Sequence, residues 1–241
     1  MSYFTGFVAA VPTANKDKYT HHVAAVWPLV KSYGATRMVE TWGVDVPKGK
    51  VTDFFGAVQA VEGETIVFSW IEWPDRATAD ASMPRIQEDP AMKELPEMPF
   101  DAHRVIYGGF APVFEAGTCD GAGYYQGFLL AVPGQNKAAY LDMALEGWKL
   151  FKKGSALGMI ENWGQDVPHG EVTDFYRATK AETGEVPVFS WSAWPDRATC
   201  DAAARAMEAE MEGMDMPQMP FDGIRMMWAG FEPLFDSAET V

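Results

Sequence analysis

Two glutamates, Glu40 and Glu161, lie mid-segment between apolar neighbours. On an extended strand Glu40 shares a face with Met38 and Trp42, so its carboxyl is expected to be partly buried. Burial raises a carboxyl pKa and suits it to general acid/base work. The plainer expectation is a carboxylate paired with an arginine such as Arg104, holding the sheet together. Ser69 and Ser190 sit inside apolar segments. A serine nucleophile needs an adjacent base and an oxyanion hole; no Gly-x-Ser-x-Gly elbow occurs. Their hydroxyls therefore read as core groups or ligand contacts. Trp42, Trp70, Trp163 and Trp191, with Trp73 and Trp194, could line an aromatic pocket; burial in the core is the default for such large rings. Arg104 and Arg225 could hold a carboxylate ligand bidentately, or pair locally with Asp101 and Asp222. The candidate set is thus Glu40 and Glu161 as catalytic acids, with Trp42, Ser69, Trp70, Arg104, Trp163, Ser190, Trp191 and Arg225 as ligand contacts.

Other groups point to structure. Asp45 with Asp53, and Asp166 with Asp174, could share a cation, but an Asp in a loop with Pro and Gly more often bonds its own backbone. Asp75 and Asp196 precede helical segments as N-caps. His21 and His22 are adjacent and diverge on a helix, and no histidine recurs at equivalent positions of the two halves. That disfavours a histidine metal site or haem, and the sequence names no cofactor. The methionines Met207, Met211, Met214, Met216 and Met219 read as packing.

These residues come in pairs because the chain repeats. Shifted by 121 positions, Tyr3 falls on Tyr124 and Phe114 on Phe235 without a gap. A full-length match means two copies of one fold rather than a solenoid. The first copy spans 1–116, residues 117–123 form a Gly-containing linker, and the second copy spans 124–241. In each copy the pattern gives a strand (3–11), a helix (15–31, which Pro28 should kink or distort in the first copy and which Lys149 leaves cleaner in the second), a strand (35–43), a hairpin of 53–61 with 65–73 turning at Glu62-Gly63, a helix from Asp75, and a final strand (103–114). That is a ferredoxin-like βαββαβ unit of α+β class. Val67-Phe68-Ser69-Trp70-Ile71 is apolar on both faces, so each sheet needs cover on the side away from its helices. The twin copy can supply it, sheet to sheet. Gly6, Gly127, Gly109 and Gly230 fall within strands, where a glycine marks a bulge or a close approach by another group; tight strand packing is the plainer expectation.

The 241 residues carry 48% hydrophobic and 22% charged side chains and a net charge of −15. Such a chain can bury a core without disulfides. Its acidity argues against nucleic acid and anionic membrane surfaces. No segment approaches the length of a bilayer span, no signal-peptide pattern opens the chain, and two unmatched cysteines, Cys119 and Cys200, fit a reducing compartment; the expected location is cytoplasmic.

The runs Glu40-x-Trp-Gly-x-Asp-Val-Pro-x-Gly-Lys-Val-Thr-Asp-Phe54, Val67-Phe-Ser-Trp-Ile-Glu72 and Met98-Pro-Phe-Asp with Arg104 and Tyr107-Gly-Gly-Phe110 resemble the YbaA-like (DUF1428) family of bacterial proteins. The resemblance covers both halves. It implies a dimeric α+β barrel in which the two copies stand in for a homodimer, with further dimerisation of the fused chain open. It brings no established activity. Copy two departs more from the pattern: Trp228-Ala229 replaces Tyr107-Gly108, Pro187 enters a strand, and Ile224 replaces His103. Of two once-equivalent sites, one could thus be lost. The functional expectation is a small-molecule pocket within or between the repeats, catalytic or not; the alternative is a non-catalytic binding or assembly protein.

Overall fold

The computed structural model describes residues 1–212 and 218–239; Met214 and Met216 lie outside the described residues. Each repeat contributes four strands: β1 (Tyr3–Pro12), β2 (Arg37–Asp45), β3 (Glu64–Trp73) and β4 (Ile106–Gly117), then β5 (Tyr124–Pro133), β6 (Gly158–Asp166), β7 (Glu185–Trp194) and β8 (Met227–Asp236). The helices are α1 (Lys16–Ser32), α2 (Phe54–Ala57) and α3 (Arg76–Glu88), and α4 (Lys137–Lys153), α5 (Phe175–Thr179) and α6 (Arg197–Met211). Helix α1 continues through Pro28.

Within a repeat the strand order is 4-1-3-2, all antiparallel. The edges then join across the repeats, β2 to β8 and β4 to β6, closing one barrel in the order β1-β3-β2-β8-β5-β7-β6-β4. An open four-stranded sheet leaves two edges of unpaired N–H and C=O groups; closure removes all four. The two units are therefore joined edge to edge as well as face to face. The long helices cover the outside.

The barrel interior is aromatic. Phe68 stacks on its twin Phe189 with ring centroids 4.2 Å apart, and Trp70 stacks on Trp191 at 4.1 Å. Phe4, Phe110, Tyr125 and Phe231 complete this shared cluster. A Cβ on Gly6 would lie 2.9 Å from the Phe189 ring, and one on Gly109 would collide with the Tyr3 hydroxyl. The strand glycines thus make room for rings.

One sequence expectation is corrected. Residues 53–61 are not a hairpin arm. Asp53 caps α2 by accepting from the Gly56 N–H at 2.6 Å, and Asp174 caps α5 from Arg177 N–H at 2.8 Å. The turn of helix lets Phe54 and Phe175 enter the barrel core, each fully buried. The apolar alternation that suggested a strand belongs to this insertion.

Candidate functional site

Glu40 lies on the outer face of β2, beneath α1. The strand period puts Met38 and Trp42 on that same face, and both pack in the helix-side core. Tyr19 of α1 donates to Glu40 Oε2 at 2.6 Å. In the second repeat Tyr140 of α4 donates to Glu161 Oε2. Ser69 and Ser190 stand directly across the ladder from Glu40 and Glu161. Burial pushes the Glu40 carboxyl up to about 7, against the opposing effect of the Tyr19 and Ser69 hydroxyls. Burial likewise raises Glu161, opposed by Ser190 and Tyr140. Both tyrosines are held well above their ordinary value by burial and by the neighbouring carboxyl. Trp42 and Trp163 flank the pairs, their rings 6.5 and 6.2 Å from Tyr19 and Tyr140, with Lys16 and Lys137 over their outer faces.

The candidate residues do not gather in one place. Glu40, Trp42 and Ser69 meet on the outer face of one repeat, and Glu161, Trp163 and Ser190 on that of the other. Trp70 and Trp191 follow those serines by one residue, so they point to the opposite side of the sheet and stack inside the barrel. Arg104 and Arg225 belong to neither group. Arg104 does not pair with Glu40, as the plainer reading had it. Its guanidinium forks onto both Glu64 carboxylate oxygens, at 2.7 and 2.8 Å, and onto Asp101 at 3.0 Å. Arg225 does the same with Glu185 and Asp222. These ties fix the start of β3 and β7 to the turn before β4 and β8. Glu40 lies too far along β2 to compete, and its partner comes from the helix instead.

The aspartates serve the backbone and the seams. Asp53 and Asp174 also accept from the Gly49 and Gly170 N–H groups. Asp45 pairs with Arg197 at 3.2 Å, and Asp166 accepts from Tyr3 and Arg76, in each case across the junction between repeats. Asp75 and Asp196 cap α3 and α6 through Thr78 and Thr199 N–H, each at 2.7 Å.

The surroundings of the two Tyr–Glu pairs differ. Between α4 and the β5–β6 face lies a cavity of about 210 Å³. Leu130, Met143, Phe151, Met159 and Phe221 wall it, and Glu161 and Tyr140 form its polar floor. Ala144 and Gly147 keep the helix side open; a Cβ on Gly147 would meet nothing within 4 Å. In the first repeat these two positions are Val23, buried, and Val26, half-buried, both packed in the helix-side core. Met143 is matched by His22, whose Nδ1 lies 2.8 Å from the Pro96 carbonyl. Residue types and spacing alone give Tyr19, Tyr140, Gly147 and Phe221 no chemical role. The recurrence of a tyrosine at one helical position in both copies, four residues ahead of a small residue in the second, was the available signal.

The model of the family described as "Protein of unknown function (DUF1428)" matches residues 2–102 and again 123–223. The chain belongs to the DUF1428 family. The uncharacterized protein YbaA of Escherichia coli K12 is 52% identical over 116 residues, which is 99% of that protein and 48% of this chain. DUF1428 thus occurs here as a tandem duplication. Among solved structures, a putative monooxygenase from Fusobacterium nucleatum superposes with a TM-score of 0.51 at 7% identity, covering 98% of this chain and 93% of its own. An anthrone oxidase-like protein gives 0.52 at 10% identity, over 98% and 92%. A putative monooxygenase from Lactobacillus acidophilus gives 0.51 at 7%, over 98% and 95%. At such identities the likeness is one of fold: the dimeric α+β barrel, formed here by one chain. No helix among the described residues is long and apolar enough to cross a membrane.

Proposed function

We propose that this chain binds a small, mostly apolar molecule in the second repeat, between α4 and the sheet, with Glu161 as its polar anchor. The observation that carries this reading is the cavity itself, whose apolar walls converge on a single carboxyl. Few, well-placed polar groups in an apolar concavity are the usual anatomy of a ligand site. At the packing density of protein interiors, about 0.74, the space suits a guest of roughly ten to twelve non-hydrogen atoms. Burial makes Glu161 a stronger proton acceptor than an exposed glutamate, so the same group that anchors a guest is suited to hold or take a proton from it. The likeness to proteins described as monooxygenases supports a small-molecule role at the level of fold and carries no chemistry with it.

Thermal unfolding with 2-naphthol tests the reading. The ligand should raise the melting temperature of the wild-type chain and leave that of Gly147→Val unmoved, because the valine occupies the open side as Val26 does in the first repeat. An equal rise in both proteins would place the ligand elsewhere and refute the proposal.

A further inference from the structure

Resting on that reading, the hydrogen-bonding capacity of the cavity points further: we infer that its guest is a neutral aromatic or alicyclic molecule carrying one hydroxyl-type donor, of the phenol or enol class. The floor offers a carboxylate, an acceptor only when ionised. One of its oxygens, Oε2, already accepts from Tyr140, and the Ser190 hydroxyl across the ladder also favours the ionised carboxylate; with about four lone-pair sites, the group keeps capacity for a further donor. The walls come from Leu130, Met143, Phe151, Met159 and Phe221, which supply no further side-chain acceptor of note. A guest hydroxyl brings one donor to meet the remaining acceptor capacity.

The competing classes fit worse for stated reasons. An ammonium brings three donors; with one carboxylate to meet them, the others would be buried without partners, which costs more than the pairing returns. A carboxylate guest would set two like charges side by side in a poorly solvated space. A guest with no donor would fill the walls but leave an ionised Glu161 sealed from water without a new partner. Tyr140 sharpens the choice, because its hydroxyl is committed to Glu161 and is not free to serve a guest that only accepts.

Calorimetric titration of the whole chain at pH 8 with four compounds of one ring system tests this. 2-Naphthol should bind with one site per chain. 2-Methoxynaphthalene, which lacks the donor, should bind roughly tenfold more weakly. 2-Naphthylmethylamine and 2-naphthoate should bind more weakly still. Glu161→Leu should shrink the gap between 2-naphthol and its methyl ether to less than about twofold, while the matched Glu40→Leu leaves it intact. Should Glu161→Leu lose its cooperative melt, the isosteric Glu161→Gln replaces the charged acceptor by a neutral one and should narrow the same gap part of the way. Equal binding of naphthol and ether, or tighter binding of the amine, would overturn the donor class while the cavity stands. Unchanged naphthol binding by Gly147→Val would overturn the cavity reading itself.

Discussion

Beneath α1 and beneath α4 the barrel presents the same floor, and the two helices treat it differently. Both floors hold a strand glutamate met by a helix tyrosine, a serine across the ladder and a tryptophan alongside. Over Glu40 the helix sets Val23 and Val26; over Glu161 it sets Ala144 and Gly147. The glutamate, serine and tryptophan of each floor belong to strands that must also close the barrel, so they are tied to the fold. The helix face is tied only to its own packing. A duplicated chain can therefore open one roof while the other stays shut and keeps the structure firm. The repeat that departs more from the family pattern, at Trp228, Pro187 and Ile224, is also the one with the open space.

The largest effect should come from making the first roof resemble the second. Val23→Ala with Val26→Gly removes buried methyl groups and adds a helical glycine, and should destabilise the chain by about 3 to 4 kcal/mol in chemical denaturation. It should also create a second 2-naphthol site. Loss of stability with no second site would mean that the valines do not distinguish the repeats.

Next in size is the response to pH. A carboxyl whose folded pKa lies above its unfolded value binds protons more tightly in the native state. Its contribution to stability is full below the unfolded pKa, near 4.5, and is lost as pH rises through the folded value, about 7 for Glu40. The loss amounts to as much as about 3 kcal/mol. Denaturation midpoints should therefore fall between pH 4.5 and 7, and Glu40→Gln should flatten that fall. Glu161→Gln should flatten it as well, in the same direction. The lowered carboxyls, among them Glu64, Glu185, Asp101 and Asp222, act in the opposite sense, so stability should drop again in stronger acid. A midpoint that is flat across the window in the wild type would contradict the buried-acid account.

A smaller contrast lies inside the barrel. Thr41 donates to the Phe68 carbonyl at 2.6 Å. Its twin, Asn162, is fully buried, and neither of its side-chain polar atoms has a partner in the protein. Asn162→Thr should therefore stabilise by roughly 1 to 2 kcal/mol; a destabilised variant would show that the amide is satisfied after all. The smallest effect is that of Gly147→Val without ligand. Relief of a helical glycine should leave the chain unchanged or up to about 1 kcal/mol more stable, whereas a marked loss would mean that the space above Glu161 is needed for folding.

Much of this was legible in the sequence. The 121-residue shift and the two-sided apolarity of 67–71 give a paired barrel, and the alternation along β2 puts Glu40 beside Met38 and Trp42. The same alternation puts Ser69 and Trp70 on opposite faces of the sheet, so no single pocket can hold both. The α2 insertion was hidden because a capped turn of helix and a strand both carry apolar residues at short spacing. The edge pairing of β2 with β8 follows from closure of the whole, which no local pattern records. The cavity was hardest to see, because it is defined by what Ala144 and Gly147 lack.

The most direct test is a crystal of the chain soaked with 6-bromo-2-naphthol. The account predicts one anomalous bromine peak between α4 and the β5–β6 face, with the hydroxyl turned to Glu161, and none beneath α1. A peak beside Glu40, or bromine only on the surface, would contradict it.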